Sequence, residues 1–91
     1  MDTVRHNTGK RRFEVEQEGR LSVVDYQLRE GRMIITHTFV PTELRGKGIA
    51  EKLVSTALEF ARSESFGVVS QCSYVSTYLR RHPEDADLLV E

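Results

Sequence analysis

The sequence predicts an α+β fold, a mostly antiparallel sheet of about four strands that runs into a parallel strand–helix–strand unit and ends on a C-terminal helix. Three observations predict it. Three β-prone runs separated by short turns fill the first half of the chain. A helical period follows, with Ile49, Leu53, Ala57, Leu58 and Ala61 on one side and Glu51, Lys52, Ser55, Glu59 and Arg62 on the other. A short apolar run and a second helical pattern come last. The 91 residues suit one domain, 1–91, with a single small core.

Taken in order, residues 2–12 have little periodicity, and a loose start is expected. From Phe13 the pattern is readable: Phe13 and Val15 alternate with Glu14 and Glu16, which predicts a strand with one wet face. Glu18-Gly19-Arg20 turns the chain into the next run, where alternation slips between Val23 and Val24 and predicts a bulge. Arg29-Glu30-Gly31-Arg32 makes the second turn. Residues 33–40 form the most β-prone segment, with Ile35, His37 and Phe39 expected on one face and Ile34, Thr36, Thr38 and Val40 on the other.

Pro41 ends that strand because it has no N–H to donate. The amphipathic helix follows, then a break at Ser63-Glu64-Ser65 and a fourth strand over residues 67–72, parallel to the third through a right-handed crossover. Ser73 is placed to cap a second helix with Tyr74, Val75, Tyr78 and Leu79 inward, stopping near His82 ahead of Pro83. Residues 84–90 are expected to add a turn or two that docks Leu88 and Leu89.

Composition bounds the function. With 13 basic and 14 acidic residues the formal net charge is −1, which argues against a nucleic-acid partner held by overall electrostatics. No apolar run approaches a membrane span and the polar start is unlike a signal peptide, so neither membrane nor export is expected and a cytoplasmic location is. The single cysteine, Cys72, is expected as a free thiol. No metal is expected, and the chain should be a monomer or a weak homodimer.

The site candidate is the stretch Val40-Pro41-Thr42-Glu43-Leu44-Arg45-Gly46-Lys47-Gly48-Ile49-Ala50. A strand, a tight glycine turn and a helix N-terminus can aim several backbone N–H groups at an anion, and Arg45, Lys47 and Lys52 add positive charge. Such a turn also serves ordinary chain reversal. The P-loop and dinucleotide spacings both fail, because Gly46 and Gly48 are followed by Ile49, Ala50 and Glu51.

Arg45-Gly46-Lys47-Gly48-Ile49-Ala50 resembles the Arg/Gln-x-x-Gly-x-Gly/Ala acetyl-coenzyme A signature of GCN5-related N-acetyltransferases, with Arg45, Gly48 and Ala50 in the defining places. His37-Thr38-Phe39-Val40-Pro41, Cys72 and Tyr78-Leu79-Arg80-Arg81-His82-Pro83 are similar to a minimal subfamily of these proteins, roughly a hundred residues long. The resemblance implies acetyl-coenzyme A as cosubstrate, with pyrophosphate on the amides of Arg45, Gly46, Lys47, Gly48, Ile49 and Ala50. It places the pantetheine arm and thioester along Phe39 and Val40, whose N–H groups would polarise the acetyl carbonyl.

The resemblance also implies a role for Cys72 as an acetyl carrier, where the residue type alone suggests a small buried hydrophobe. His37 is a candidate base, or a hydrogen-bonded structural histidine. Arg80 and Arg81 are candidates for coenzyme phosphates, or simply a basic helix end. In larger relatives a tyrosine protonates the departing thiolate, but nothing in the sequence assigns that role; Tyr74 and Tyr78 read as core. Full-sized members place helices where this chain has Glu18-Gly19-Arg20. The acceptor would then meet an open cleft suited to a protein or peptide lysine or a polyamine. The implied activity is acetyl transfer to an amine, directly or through Cys72. The alternatives are a non-catalytic acetyl-coenzyme A binding or sensing module, and a partner-binding domain that keeps the fold for stability.

Overall fold

The computed structural model describes residues 3–90; Met1, Asp2 and Glu91 lie outside the described residues, Asp2 among them being part of the expected loose start. Among the described residues there are five strands: β1 (Arg5–Asn7), β2 (Arg12–Gln17), β3 (Arg20–Arg29), β4 (Arg32–Phe39) and β5 (Gly67–Ser70). Helix α1 (Ile49–Ser63) joins β4 to β5, and α2 (Ser73–Arg81) follows, with 3-10 turns at Thr42–Leu44 and Pro83–Leu88. The sheet order is that of the chain. All neighbours are antiparallel except β4 and β5, which run parallel around α1.

The α+β fold is the expected one, with one strand more. β1 escapes periodicity because its inward residue is His6, which stacks on Phe13 with ring centroids 4.1 Å apart and hydrogen-bonds the Tyr26 hydroxyl. Its outward residues, Arg5 and Asn7, both donate to the carboxylate of Glu14. Glu14 is therefore buried, not wet as its place in the alternation predicts. Two tight hairpins connect β2 to β3 and β3 to β4. Each has both central residues at positive φ, Glu18 and Gly19 in one and Glu30 and Gly31 in the other, which matches the twist of the flanking strands.

The register of β3 against β4 moves the predicted irregularity. Tyr26 pairs with Ile35 and Asp25 with His37, so Thr36 is an extra residue on β4. The bulge lies there and not at Val23. Its consequence is a change of phase: Ile35 faces the core beside Tyr26, but His37 and Phe39 share the opposite face with Asp25 and Val23, and Thr38 takes the core side beside Val24. The expectation that Ile35, His37 and Phe39 share a face fails for this reason.

One buried cluster unites the inward sides of β2, β3, β4 and β5 with both helices, including Phe13, Val24, Ile35, Leu53, Leu58, Val68 and Val75. All five predicted inward residues of α1 are buried, and Val54 joins them. The C-terminal 3-10 turn buries Leu88 but leaves Leu89 exposed; Leu89 instead bridges to Val68 through its backbone.

Candidate functional site: a cleft at the end of β4

β5 pairs with β4 only as far as Ser70 opposite Ile35, with one further bond from the Gln71 N–H to the Ile35 carbonyl. The fourth strand therefore stops at Ser70, short of the predicted residue 72. Beyond that point β4 continues while the segment after β5 turns away into α2, and the two strands part company. The opening leads into a cleft of about 490 Å³. Thr38 and Phe39 line it from β4, Val40 from just beyond its end, Leu44, Arg45, Gly46 and Gly48 from the turn, Ile49, Ala50 and Glu51 from α1, and Tyr74 from α2.

The turn is built on backbone. Gly46 and Gly48 have φ of 82° and 79°, in the left-handed region where a side chain is strained. Gly48 is the N-cap of α1, and the first bond inside the helix is from the Lys52 N–H to the Gly48 carbonyl. The amides of 49–51 precede that bond, so no helical carbonyl answers them. Arg45 donates from Nε to the Val40 carbonyl at 3.0 Å, which ties the turn to the end of β4. Lys47 is engaged outside the cleft, with Nζ 3.2 Å from Glu18 Oε2.

Of the ten residues expected to bind the coenzyme, the cleft thus gathers Phe39, Val40, Arg45, Gly46, Gly48, Ile49 and Ala50. Lys47, Arg80 and Arg81 do not line it. Arg80 and Arg81 are exposed in the last turn of α2, where Arg80 Nη2 donates to Thr77 Oγ1. A smaller depression of about 330 Å³ adjoins the cleft at Gly48 and Glu51 and is lined further by Lys52, Ser55, Tyr78 and His82.

Cys72 is the N-cap of α2, so Ser73 is the first helical residue and not the cap. Its Sγ lies 3.4 Å from Thr38 Oγ1, which joins the thiol to the cleft wall. As a thiol it donates to that hydroxyl; as a thiolate it accepts from it. Burial pushes the Cys72 thiol up, but the Thr38 hydroxyl and the backbone N–H groups of Val75 and Tyr74 outweigh it and hold it below its ordinary value. Ser70 Oγ donates to the Cys72 carbonyl at 3.0 Å and lies 2.8 Å from Ser76 Oγ, which fixes the approach to α2.

His37 is not brought to Cys72. Across the bulge it faces away from the core, exposed and stacked at 6.4 Å on Phe39. Four cleft residues fall outside the expected coenzyme set: Leu44 and Glu51, which flank the signature stretch, and Thr38 and Tyr74, which strand and helix period misplace. Thr38 was hidden by the bulge, and Tyr74, expected in the core, is 40% exposed on the cleft wall. Burial, with the Glu51 charge behind it, raises the Tyr74 phenol above its ordinary value, so it remains a proton donor at neutral pH.

An antiparallel meander, one parallel crossover and a glycine turn at the point where two strands separate together make the α+β fold and its cleft. A family profile described as GCN5-related N-acetyl-transferase matches residues 12–88. The chain belongs to that family. Protein NATD1 of mouse is 32% identical over 83 residues, covering 88% of this chain and 76% of the relative. Human N-acetyltransferase 8 is 47% identical over 51 residues, which is 56% of this chain and 22% of that protein. The NMR structure of a GCN5-like protein from Staphylococcus aureus superposes with a TM-score of 0.77 at 24% identity, covering 97% of this chain and 87% of that one, a likeness of fold.

Proposed function

We propose that the cleft at the end of β4 binds acetyl-coenzyme A and that the chain transfers the acetyl group to an amine. The observation that carries this reading is the meeting, in one cleft, of the Gly46–Gly48 turn, the unanswered amides of α1 and the unpaired end of β4. The amides of Gly46, Gly48, Ile49 and Ala50 hold the pyrophosphate, helped by the positive end of the α1 dipole. Phe39 and Val40 hold the pantetheine arm with their backbone, and an N–H there takes the developing oxyanion.

Cys72 supplies the nucleophile of a two-step route. Its thiolate attacks the thioester carbonyl carbon, a new C–S bond forms, the bond to the coenzyme sulfur breaks, and that sulfur leaves as a thiolate which takes the Tyr74 proton. The acceptor amine then attacks the acetyl-cysteine carbonyl carbon, a C–N bond forms, the bond to Cys72 Sγ breaks so that Cys72 departs as thiolate, and the proton lost from the amine nitrogen returns to the Tyr74 phenolate. Incubation with acetyl-coenzyme A followed by intact mass measurement under denaturing conditions tests the route. One acetyl increment in the native chain, missing from Cys72→Ala while coenzyme affinity stays, supports it; undiminished turnover in Cys72→Ala assigns direct transfer.

A non-catalytic acetyl-coenzyme A module is the second reading, and one observation favours it. Among the described residues no imidazole lines the main cleft, since His37 faces the other side of the sheet and His82 the smaller depression. Release of free coenzyme A in the presence of an amine, absent without protein, decides against it.

A further inference from the structure

The sheet face turned away from the helices carries an apolar ledge that runs into the cleft. The register sets Glu16 beside Leu21, Val23 beside Phe39 and His37 beside Asp25 on that face. Leu21 is 38% and Phe39 45% exposed, while Val23 on the same face is buried, so the exposed apolar surface of the ledge is that of Leu21 and Phe39. The His37 and Phe39 rings lie near-parallel, 12° apart in plane, and lengthen the ledge along β4. Phe39 belongs to both surfaces, because it also lines the cleft. The ledge therefore ends where the acetyl group would be presented.

The carboxylates around the ledge are already matched. Glu14 is held by Arg5, Asp25 by Arg12, Glu18 by Lys47 and Glu43 by Arg20, so of the acids near this face Glu16 alone has no ion pair among the described residues. A polycation would find one unpaired carboxylate there, beside the exposed apolar side chains of Leu21 and Phe39.

We infer that the acetyl acceptor is a monoamine carried on an apolar or aromatic body, seated on Leu21, His37 and Phe39 with its nitrogen directed over Phe39 into the cleft. This rests on the acetyl-transfer reading above and narrows its acceptor. An apolar seat also suits the chemistry, since an ammonium that leaves water for it gives up its proton more readily and attacks as the free amine. Lysine-rich peptides and polyamines are the disfavoured acceptors.

Two-dimensional amide NMR of the folded protein keeps the two readings apart. Coenzyme A is titrated first, with the amides of 45–50 as reporters; their indifference defeats the coenzyme site. Phenethylamine is titrated next, with and without coenzyme, against spermidine and a lysine peptide. Saturable shifts at Leu21, Val23 and His37, tighter for phenethylamine than for either competitor and weakened about fivefold or more in Leu21→Ser, are expected. Ledge amides that stay still, a tighter fit for spermidine or the peptide, or an unchanged fit in Leu21→Ser would overturn the inference, whatever coenzyme A does.

Discussion

The two walls of the cleft are made differently. The turn and the start of α1 present backbone: glycines in left-handed conformation, free amides, and a guanidinium tied to a carbonyl of β4. The end of β4 and the start of α2 present side chains, and which of them reach the cleft depends on an extra residue at Thr36 and on the N-cap position of Cys72. The backbone wall needs only glycine spacing and a helix start, so sequence spacing declares it. The side-chain wall depends on register, and one inserted residue reverses every assignment beyond it.

The largest effect that separates the walls is expected at Gly48→Glu. A side chain and a negative charge at a left-handed N-cap, facing the anion, should lower acetyl-coenzyme A affinity by about a hundredfold or more while circular dichroism shows an intact fold. Near-normal affinity in a calorimetric titration would take the pyrophosphate off this turn.

Glu14→Ala probes the part of the sheet farthest from sequence legibility. It strips a buried carboxylate of its bonds to Arg5 and Asn7 and leaves β1 unsupported, and chemical denaturation should register a loss of about 1–3 kcal/mol. The same pair has a pH signature. The Arg5 hydrogen bond holds the Glu14 carboxyl below its usual range, so its stabilisation is complete above that range and is lost as pH falls through the depressed value. His6 acts in the same direction, because burial disfavours its charged form and stability declines as pH drops below the ordinary histidine range. Glu14→Gln should flatten the acid side of the stability curve; an unchanged slope would assign that acid sensitivity elsewhere.

A finer test of the side-chain wall is the pH profile of Cys72 alkylation. Thr38→Val should move the midpoint up and Thr38→Ser should restore it, whereas identical profiles would remove Thr38 from the thiol's environment. Smallest of all should be Lys47→Ala. Its ion pair with Glu18 is exposed at both ends, so stability should change by less than about 1 kcal/mol and coenzyme affinity only slightly. A large loss of affinity would return Lys47 to the site.

Much of this was legible beforehand, and the exceptions share a cause. The meander, the crossover and the inward face of α1 follow from periods of two and 3.6, which hold wherever the backbone is regular. The seven expected residues that line the cleft, on or beside the turn, follow from the resemblance to the acetyl-coenzyme A signature rather than from period. Glu14 escapes the alternation because Arg5 and Asn7 of β1 satisfy it across the sheet, and His6, itself on β1, escapes it because its partner is the Tyr26 hydroxyl on β3; no local pattern signals such pairing. His37 and Thr38 exchanged faces through the bulge. Tyr74 lies at the margin of the inward arc of α2, where a step of one residue separates core from cleft wall.

The claim on which the rest depends is that this cleft takes acetyl-coenzyme A. Native mass spectrometry of the purified chain with acetyl-coenzyme A tests it most directly, with Gly48→Glu alongside. A one-to-one complex in the native chain that disappears in the variant is the predicted result. A folded native chain that captures no coenzyme, or a complex equally abundant in Gly48→Glu, would contradict it.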